Sequence, residues 1–297
     1  MIGAPMIGID WGTSSARAYR LTPGGAVLER REAALGILNV PQGGFPDALR
    51  SLAGDWIAAG ARRVLLAGMV GSRQGWQEAP YVSCPAGLDT LAGALVRVPF
   101  AEADVRLVAG VSAEDAAGVP EVMRGEEVQV LGVLAEAGPD ALLCLPGSHA
   151  KWVRVERGQI AWFETSMTGE TFAALRGHTI LGRMMEGDAV PGAAFDAGVA
   201  RAGDPGGLLH HLFGTRTLAL FGRLAPADAA SYLSGLLVGH EVAASLPSGG
   251  HVYLVGTGPL MALYARAIML RGGTAMPGDA DAAAHGLARI GERAAWT

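Results

Sequence analysis

Two turns made of small polar residues could bind phosphate groups, because each exposes successive backbone N–H groups and hydroxyls. Each turn directly follows an apolar stretch of the chain. The first contains Gly12, Thr13 and Ser14, and the second contains Gly147, Ser148 and His149. One such turn is ordinary hairpin chemistry, but its occurrence twice in one chain favours a phosphate-binding role.

A third glycine-rich turn, formed by Gly256, Thr257 and Gly258, lies between an apolar stretch and a helical pattern. Nucleotides commonly dock where a strand ends and a helix begins, because free backbone N–H groups and the helix dipole attract phosphate. The sequence does not contain the GxxxxGK[ST] loop, and no GxGxxG opens a helix after the first strand. Nucleotide binding outside the P-loop and Rossmann classes is therefore expected.

Two charged residues stand beside the phosphate-type turns. Asp10 ends an apolar stretch next to the first turn, where a carboxylate is costly to bury unless it is paired or solvated. Mg²⁺ favours one or two carboxylates with waters and substrate phosphates, so Asp10 is predicted to be a magnesium ligand. Lys151 is the one lysine among 23 basic residues and lies two positions after His149. Its ammonium group is predicted to contact a phosphate.

The elements that position these residues follow one pattern twice. Three short strands are predicted over 6–11, 16–21 and 26–32, and again over 141–145, 150–155 and 159–164. Helices are predicted over 46–60, 125–137, 170–185, 226–245, 259–270 and 279–291, and further strands over 64–67, 106–109 and 251–255. This alternation predicts an α/β protein whose two lobes face each other across a cleft. The polar, glycine-rich loop from Gly68 to Gly87 is a candidate binding loop.

Composition excludes several classes of function. The net charge is −5 with no run of like charge, which argues against nucleic-acid binding. Cys84 and Cys144 are far apart, which argues against a disulfide framework or a zinc site and fits a reducing cytoplasm. Every apolar run is shorter than ~18 residues, so neither a membrane span nor a signal peptide is expected. A cytoplasmic protein that binds a small molecule is predicted.

Together these motifs resemble the actin-like ATPase superfamily, which includes sugar kinases. Gly8–Ser15 is similar to its first phosphate motif, Leu145–Trp152 to its second and Val255–Leu260 to its adenosine motif. The resemblance implies two actin-like (ribonuclease H-like) lobes with a central cleft, and ATP and Mg²⁺ as cofactors. It implies an N-terminal lobe over 1–138 and a C-terminal lobe over 139–297, with the closing helix 279–291 as a candidate to pack back on the first lobe.

Further segments narrow the resemblance to the 2-dehydro-3-deoxygalactonokinase family: Ala67–Trp76, Met123–Glu127, Met167–Glu170 and Ser231–Leu237. The family implies ATP-dependent phosphorylation of the 6-hydroxyl of 2-dehydro-3-deoxy-D-galactonate in galactonate catabolism. By position, Glu126 is the expected catalytic base, with Glu127 as its competitor and Asp10 beside them. Substrate contacts are expected from Ser72, Arg73, Gln74, Thr168 and Glu170. The Arg73 guanidinium is the first choice for the substrate carboxylate, which needs a planar two-pronged donor.

Two departures from the family pattern and two alternatives remain. Ser148 and Ala150 replace the more usual Thr and Ser of the second turn, and Glu126 stands where sugar kinases usually carry Asp. An exopolyphosphatase-like phosphohydrolase would share the fold but should have a basic channel, and an actin-like module could use nucleotide as a switch. The sequence leaves open the galacto or gluco epimer and the oligomeric state, for which a homodimer is one option.

Overall fold

The computed structural model describes residues 5–296. Its strands are β1 (Met6–Trp11), β2 (Ala16–Leu21), β3 (Val27–Ala33), β4 (Arg63–Ala67), β5 (Tyr81–Ser83), β6 (Val96–Val98), β7 (Asp104–Leu107), β8 (Gly110–Glu114), β9 (Pro120–Met123), β10 (Ala141–Leu145), β11 (Ala150–Glu156), β12 (Gln159–Ser166), β13 (His251–Leu254) and β14 (Thr274–Pro277). Its helices are α1 (Phe45–Ala58), α2 (Leu88–Gly93), α3 (Glu126–Ala137), α4 (Thr168–His178), α5 (Ala193–Arg201), α6 (Gly207–Leu220), α7 (Pro226–Ser245), α8 (Leu260–Leu270) and α9 (Ala282–Arg293).

Tertiary contacts divide the chain into two compact units. The first runs to Asp140 and also contains Val153–Phe163 and the segment from Asp279 onward, and the second contains Ala141–Trp152 and Glu164–Gly278. Ile160 lies in the first unit because it exchanges two backbone hydrogen bonds with Ala86. The lobe ranges expected from the sequence, 1–138 and 139–297, place 139–140, 153–163 and 279–297 in the second lobe, with the closing helix 279–291 as a candidate to pack back on the first; the contacts group all three segments with the first unit. The expected ranges also included residues 1–4 and 297, which lie outside the described residues.

Strand β1 lies inside the six-stranded sheet of the first unit, whose order is β3-β2-β1-β4-β7-β6. It pairs antiparallel with β2 and parallel with β4. Ile7 and Ile9 in β1 have no exposed surface, which explains the uninterrupted apolar run of this strand. Because β1 and β4 are parallel and Asp10 is in register with Ala67, their carboxyl ends meet at one edge of the sheet.

Helix α3 is held in the first unit by α9, which packs against both α3 and β1. Gly132 in α3 and Gly286 in α9 allow this close approach. A Cβ on Gly132 would lie 1.9 Å from the carbonyl oxygen of Ala282, and one on Gly286 would lie 1.9 Å from that of Val128. Any side chain at these two positions would separate the helices, so the closing helix fixes the position of α3.

The second unit is built around the parallel strands β10, β13 and β14, part of a five-stranded sheet of order β12-β11-β10-β13-β14. Helix α7 packs against α4, α5, α6 and α8. The backbone N–H of Val255 donates to the carbonyl of Cys144, which holds the ends of β13 and β10 side by side. The turns that follow these two strands, 146–149 and 256–258, therefore begin at the same edge.

The repeated three-strand pattern is confirmed to within two residues at each strand, whereas other elements were missed. Helices α2, α5 and α6 were not predicted, and neither were β6, β14 or the small sheet β5-β8-β9. The predicted helix 170–185 ends at His178, because Thr179 has an extended backbone and its hydroxyl donates to the Leu175 carbonyl at 2.6 Å. Among residues 5–296, no helix has the length and apolar character needed to cross a bilayer.

Candidate active site

Asp10 lies where β1, β4 and α3 come together. Gly68, just after β4, has φ +92°, and Gly125, just before α3, has φ +108°. A Cβ on Gly68 would lie 2.8 Å from the carbonyl oxygen of Trp11 and 3.4 Å from Oδ1 of Asp10, and one on Gly125 would lie 3.1 Å from the Cα of Gly68. Only glycine fits both positions, since each needs a left-handed backbone and lacks room for a side chain.

The charge state of Asp10 depends on this close packing. Burial raises the pKa of Asp10 to about 6, while the charge of Arg17 lowers it and the charge of Glu126 raises it. Asp10 and Glu126 are therefore near enough to repel each other electrostatically. Two carboxylates in one place, one of them at a strand end, are the groups that a cation and a proton acceptor require.

The first phosphate-type turn is braced by its own backbone and by the chain at 36–39. The N–H of Gly12 donates to the Ser15 carbonyl at 2.9 Å, and the N–H groups of Ile37 and Leu38 donate to the carbonyls of Gly12 and Thr13. The side chains of Thr13 and Ser14 stay exposed. The turn is thus rigid, with its hydroxyls open to solvent beside Asp10.

The two glutamates at the start of α3 have different environments. Glu126 is partly exposed, and its Oε2 accepts the backbone N–H of Arg124 at 3.0 Å. Glu127 has no exposed surface, and its Oε2 accepts the N–H of Gly125 at 2.7 Å. The pKa of Glu127 is raised to about 8, first by burial and then by the charge of Glu126. Glu126 is therefore the glutamate of this pair that a ligand can reach.

The second phosphate-type turn lies in the second unit, directly against the start of α4. A Cβ on Gly169 would lie 2.5 Å from the Gly147 carbonyl oxygen, and the N–H of Glu170 donates to the Ser148 carbonyl at 3.0 Å. The side chains of His149 and Glu170 are hydrogen-bonded through Nε2 and Oε2. Two segments that the sequence assigned separately, to cofactor and to substrate, thus form one local structure.

Lys151 is placed differently from the solvent-exposed turn before it. It lies in β11 and is only 4% exposed, whereas Ser148 and His149 are exposed. A lysine this well buried must have its charge balanced by protein groups or by a bound anion. A structural role in β11 and a phosphate contact both remain compatible with this position.

Beside the second turn, a cavity of about 530 Å³ fits the size of a nucleoside. Its polar side is formed by residues of the second phosphate-type turn and of the start of α4: Gly147, Ser148, Thr168 and Gly169. Apolar and aromatic residues form most of the remainder: Phe172, Leu237, Val238, Leu260, Leu263 and Tyr264. Gly256 and Gly258, with φ values of +140° and +90°, form the turn that leads into α8 at this cavity.

A buried carboxylate that sequence reasoning missed lies next to the same cavity. Glu241 in α7 is 6% exposed and accepts hydrogen bonds from Trp152, Tyr264 and Thr168. Burial raises the pKa of Glu241, and these three hydrogen bonds lower it. The available signal was a single acidic residue in the run 233–244, in which Ser234 and His240 are the other polar residues.

The predicted binding loop contains both exposed and buried polar groups. Arg73 and Gln74 are exposed, and Nε of Arg73 donates to Glu78 at 3.0 Å. Ser72 and Arg124 line a second pocket together with these residues. Arg124 was also missed, although it directly precedes the two glutamates of α3. These groups, Asp10 and Glu126 all belong to the first unit.

Comparisons with known proteins agree along nearly the whole chain. The family model described as 2-keto-3-deoxy-galactonokinase matches residues 10–290. A probable 2-dehydro-3-deoxygalactonokinase of Rhizobium meliloti (strain 1021) is 38% identical over 97% of this chain and 96% of its own. The 2-dehydro-3-deoxygalactonokinase of Escherichia coli (strain K12) is 36% identical over 93% of this chain and 94% of its own.

Solved structures show the same fold. A crystal structure assigned as a 2-dehydro-3-deoxygalactonokinase of Sinorhizobium meliloti superposes with a TM-score of 0.89, at 38% identity, over 96% of this chain and 97% of that one. The activator of the 2-hydroxyisocaproyl-CoA dehydratase of Clostridium difficile gives a TM-score of 0.53 at 12% identity, over 97% and 94% of the two chains. The α/β, actin-like fold class predicted from the sequence is confirmed.

Proposed function

The chain belongs to the 2-keto-3-deoxy-galactonokinase family, and we propose that it transfers the γ-phosphoryl group of ATP to the 6-hydroxyl of 2-dehydro-3-deoxy-D-galactonate. The family match over residues 10–290 confirms the resemblance inferred from the sequence and the prediction of a phosphotransferase with ATP as phosphate donor. The observation that carries the reaction is the approach of two carboxylates from different elements: Asp10 lies near the end of β1, Glu126 begins α3, and a Cβ on Gly125, just before Glu126, would lie 3.9 Å from Oδ1 of Asp10.

Glu126 is proposed as the general base. Its partly exposed carboxylate would take the proton of the 6-hydroxyl as that oxygen attacks the γ-phosphorus and the bond to the leaving ADP breaks. The hydrogen bond from the Arg124 N–H would hold this carboxylate in place. Glu127 is proposed to be structural, since its buried Oε2 is engaged by the Gly125 N–H.

Asp10 fits a magnesium ion on its donor chemistry. It supplies one carboxylate beside the phosphate-type turn, and no cluster of three metal-binding side chains occurs among residues 5–296. Mg²⁺ that is held by one carboxylate, waters and phosphate oxygens has this donor set. When bound, the ion would neutralise charge on the transferred phosphoryl group. Thr13 and Ser14 would add backbone N–H and hydroxyl donors to the phosphates, while Gly12, whose own N–H is bonded to the Ser15 carbonyl, would shape the turn.

In the second unit, the cavity is proposed to take the nucleoside of ATP. Its apolar wall suits a base, and its polar side is the second phosphate-type turn. We propose that Gly147, Ser148, His149 and Lys151 bind the phosphates, with Gly256, Thr257 and Gly258 at the adenosine. Because Thr168 and Glu170 are bonded to Glu241 and His149, they would support this turn as well as contact the substrate.

Substrate selection is proposed to depend on the loop that carries Ser72, Arg73 and Gln74. These residues lie in the same unit as Asp10 and Glu126 and line one pocket. A sugar acid with one carboxylate suits a pocket that two arginines line.

A cytoplasmic location and a homodimer are proposed with this function. The exposed side chains of Leu209, Phe213 and Phe221 at and beyond α6 support the homodimer, which light scattering would test.

A coupled ADP-release assay tests the proposed function. The purified protein would be supplied with ATP, Mg²⁺ and, in turn, 2-keto-3-deoxy sugar acids and neutral hexoses. We expect turnover of the sugar acids alone, loss of turnover with EDTA, recovery with added Mg²⁺, and a product phosphorylated at C6 by NMR. Asp10→Asn should lower kcat while leaving the fold intact. Comparable turnover of glucose or galactose would contradict the proposal.

A further inference from the structure

A second pocket, of about 410 Å³, lies in the first unit at the loop that follows β4. Ser72, Arg73, Gln74, Tyr81 and Arg124 contribute to its lining. Arg124 lies between β9 and α3, and its backbone N–H donates to the Glu126 carboxylate. The pocket is therefore connected through one residue to the proposed general base.

The Arg124 guanidinium is buried with incomplete hydrogen bonding. The residue is 9% exposed, and its Nη2 donates to the Ala79 carbonyl at 2.8 Å. Nε and Nη1 have no hydrogen-bond partner. The Tyr81 ring lies 4.4 Å from the guanidinium carbon and covers one face. Within residues 5–296 no carboxylate forms an ion pair with Arg124. A buried cation without an ion-pair partner lowers the stability of the folded protein.

The guanidinium of Arg124 keeps free donors that match a planar anion. Nη2 uses one of its two N–H groups on Ala79, so one edge of the guanidinium, formed by Nη2 with either Nε or Nη1, keeps two parallel donors. The hydroxyl of Ser72, which lines the same pocket, is also buried without a partner. A Cβ on Gly71 would lie 3.0 Å from Nη1, so a side chain at position 71 would crowd the guanidinium.

Arg73 differs from Arg124 in both its exposure and its hydrogen bonding. Its side chain is 86% exposed and its Nε is already bonded to Glu78. An exposed arginine of this kind is screened by water and contributes little to binding energy. A buried guanidinium with unsatisfied donors gives a much stronger and more directional contact with a carboxylate.

We propose that Arg124, assisted by the Ser72 hydroxyl, binds the carboxylate of the sugar-acid substrate. This inference rests on the proposed function and replaces Arg73 as the carboxylate anchor. The unsatisfied atoms have almost no exposed surface, so the lining of the pocket must shift for the carboxylate to reach them. The anion then balances the buried positive charge, while the backbone N–H of the same residue is bonded to the carboxylate of the proposed base.

Steady-state kinetics with two substrates test this assignment. One substrate is 2-dehydro-3-deoxygalactonate, and the other is its uncharged 1-carboxamide. We expect Arg124→Lys and Arg124→Gln to raise KM for the acid by at least about 30-fold, since charge-assisted bidentate contacts are lost. KM for the carboxamide should change less than about threefold, and KM for ATP should not change. Ser72→Ala should raise KM for the acid by about 5-fold.

Arg106→Lys is the matched control. Arg106 is a largely buried arginine of the same unit, but it is ion-paired with Asp104 at 2.7 Å, so its loss should leave both KM values unchanged. Thermal melts identify variants that fail to fold. If both Arg124 variants fail to fold, the KM of Ser72→Ala for the acid tests the inference instead. Unchanged acid KM in folded variants, or equal shifts for acid and carboxamide, overturns the inference and leaves the kinase function standing. If the wild-type protein phosphorylates no sugar acid, the proposed function fails and the inference with it.

Discussion

The indole N–H of Trp152 donates a hydrogen bond of 2.8 Å to Oε1 of Glu241, a residue 89 positions away along the chain. Oε2 of the same carboxylate accepts the hydroxyl of Tyr264 at 2.7 Å and that of Thr168. Glu241 thereby connects α7 to β11, α8 and the first residue of α4. Since α4 begins against the second phosphate-type turn, this buried carboxylate helps to hold the turn in place.

Replacing Glu241 tests how strongly this network supports the second unit. Glu241→Ala leaves three buried donors without an acceptor, and we expect it to lower the free energy of unfolding by about 3 kcal/mol. Glu241→Gln keeps one carbonyl oxygen for Trp152 and adds an N–H that the rotatable hydroxyls of Thr168 and Tyr264 can accept, so the loss should stay below about 1 kcal/mol. Urea unfolding measures both. Equal losses would show that hydrogen bonding at Glu241 is not what stabilises the unit.

Gly68 provides a second test, because both its backbone angle and its surroundings exclude a side chain. Gly68→Ala should cost more than about 3 kcal/mol and lower kcat, since the new Cβ must push aside the Trp11 carbonyl, which directly follows Asp10 in the chain. Gly118 is the matched control, with φ +77° and no atom within 4 Å of the position that a Cβ would take. Gly118→Ala should cost only the backbone strain of about 1–2 kcal/mol. Unfolding and turnover measured on both variants separate crowding from strain.

The sequence predicted those elements whose structure is determined by a short stretch of neighbouring residues. The strands around both phosphate-type turns were predicted because each is a short apolar run that ends in glycine or polar residues. Helices α5 and α6 were missed because glycines such as Gly198 and Gly214 interrupt their periodicity. In the structure Gly198 is required by close packing, since its Cβ would lie 2.2 Å from the Tyr232 carbonyl oxygen. A sequence window does not contain that long-range reason.

The candidate site shows the same division. Asp10, Gly12 and Glu126 were predicted as site residues because each occupies a position in a recognisable motif. Arg124 and Glu241 were missed because what distinguishes them is burial and unsatisfied or shared hydrogen bonds, which only tertiary packing creates. Arg73 was predicted to bind the carboxylate because it stands in a polar, glycine-rich loop, whereas its 86% exposure is a property of the structure.

Glu127 should make stability depend on pH. Its pKa is raised to about 8 by burial and by the charge of Glu126, against the Gly125 hydrogen bond and the charge of Arg124. The folded protein thus holds a proton that the unfolded chain releases near pH 4.5, so the wild-type free energy of unfolding should fall as pH rises from about 5 to 8. Each pH unit contributes about 1.4 kcal/mol at most.

Glu127→Gln removes this titration while its amide oxygen can still accept the Gly125 N–H. The difference in unfolding free energy between Glu127→Gln and the wild type should therefore grow in favour of the variant between about pH 5 and pH 8 and then level off. Urea unfolding at several pH values measures this difference directly, because other titrating groups cancel. A difference that stays constant with pH would contradict the raised pKa of Glu127.

Glu126→Gln tests the proposed base. The amide oxygen can keep the hydrogen bond from the Arg124 N–H, so the variant should fold and bind ATP and sugar acid normally. It cannot accept the proton of the 6-hydroxyl, and kcat should fall by about 10²–10⁴-fold. Single-turnover phosphoryl transfer, measured beside equilibrium binding, separates this loss from a binding defect.

Glu127→Gln serves as the internal control for that experiment, because adjacent helical residues point about 100° apart. The structure directs the Glu127 carboxylate into the protein interior, where it accepts the Gly125 N–H, and leaves Glu126 partly exposed. Glu127→Gln should therefore retain most of its turnover at about pH 7. If Glu127→Gln loses turnover and Glu126→Gln retains it, the base is Glu127. If both keep full turnover, the proton must pass to another carboxylate, and Glu170, exposed and bonded to His149, is the next to be replaced.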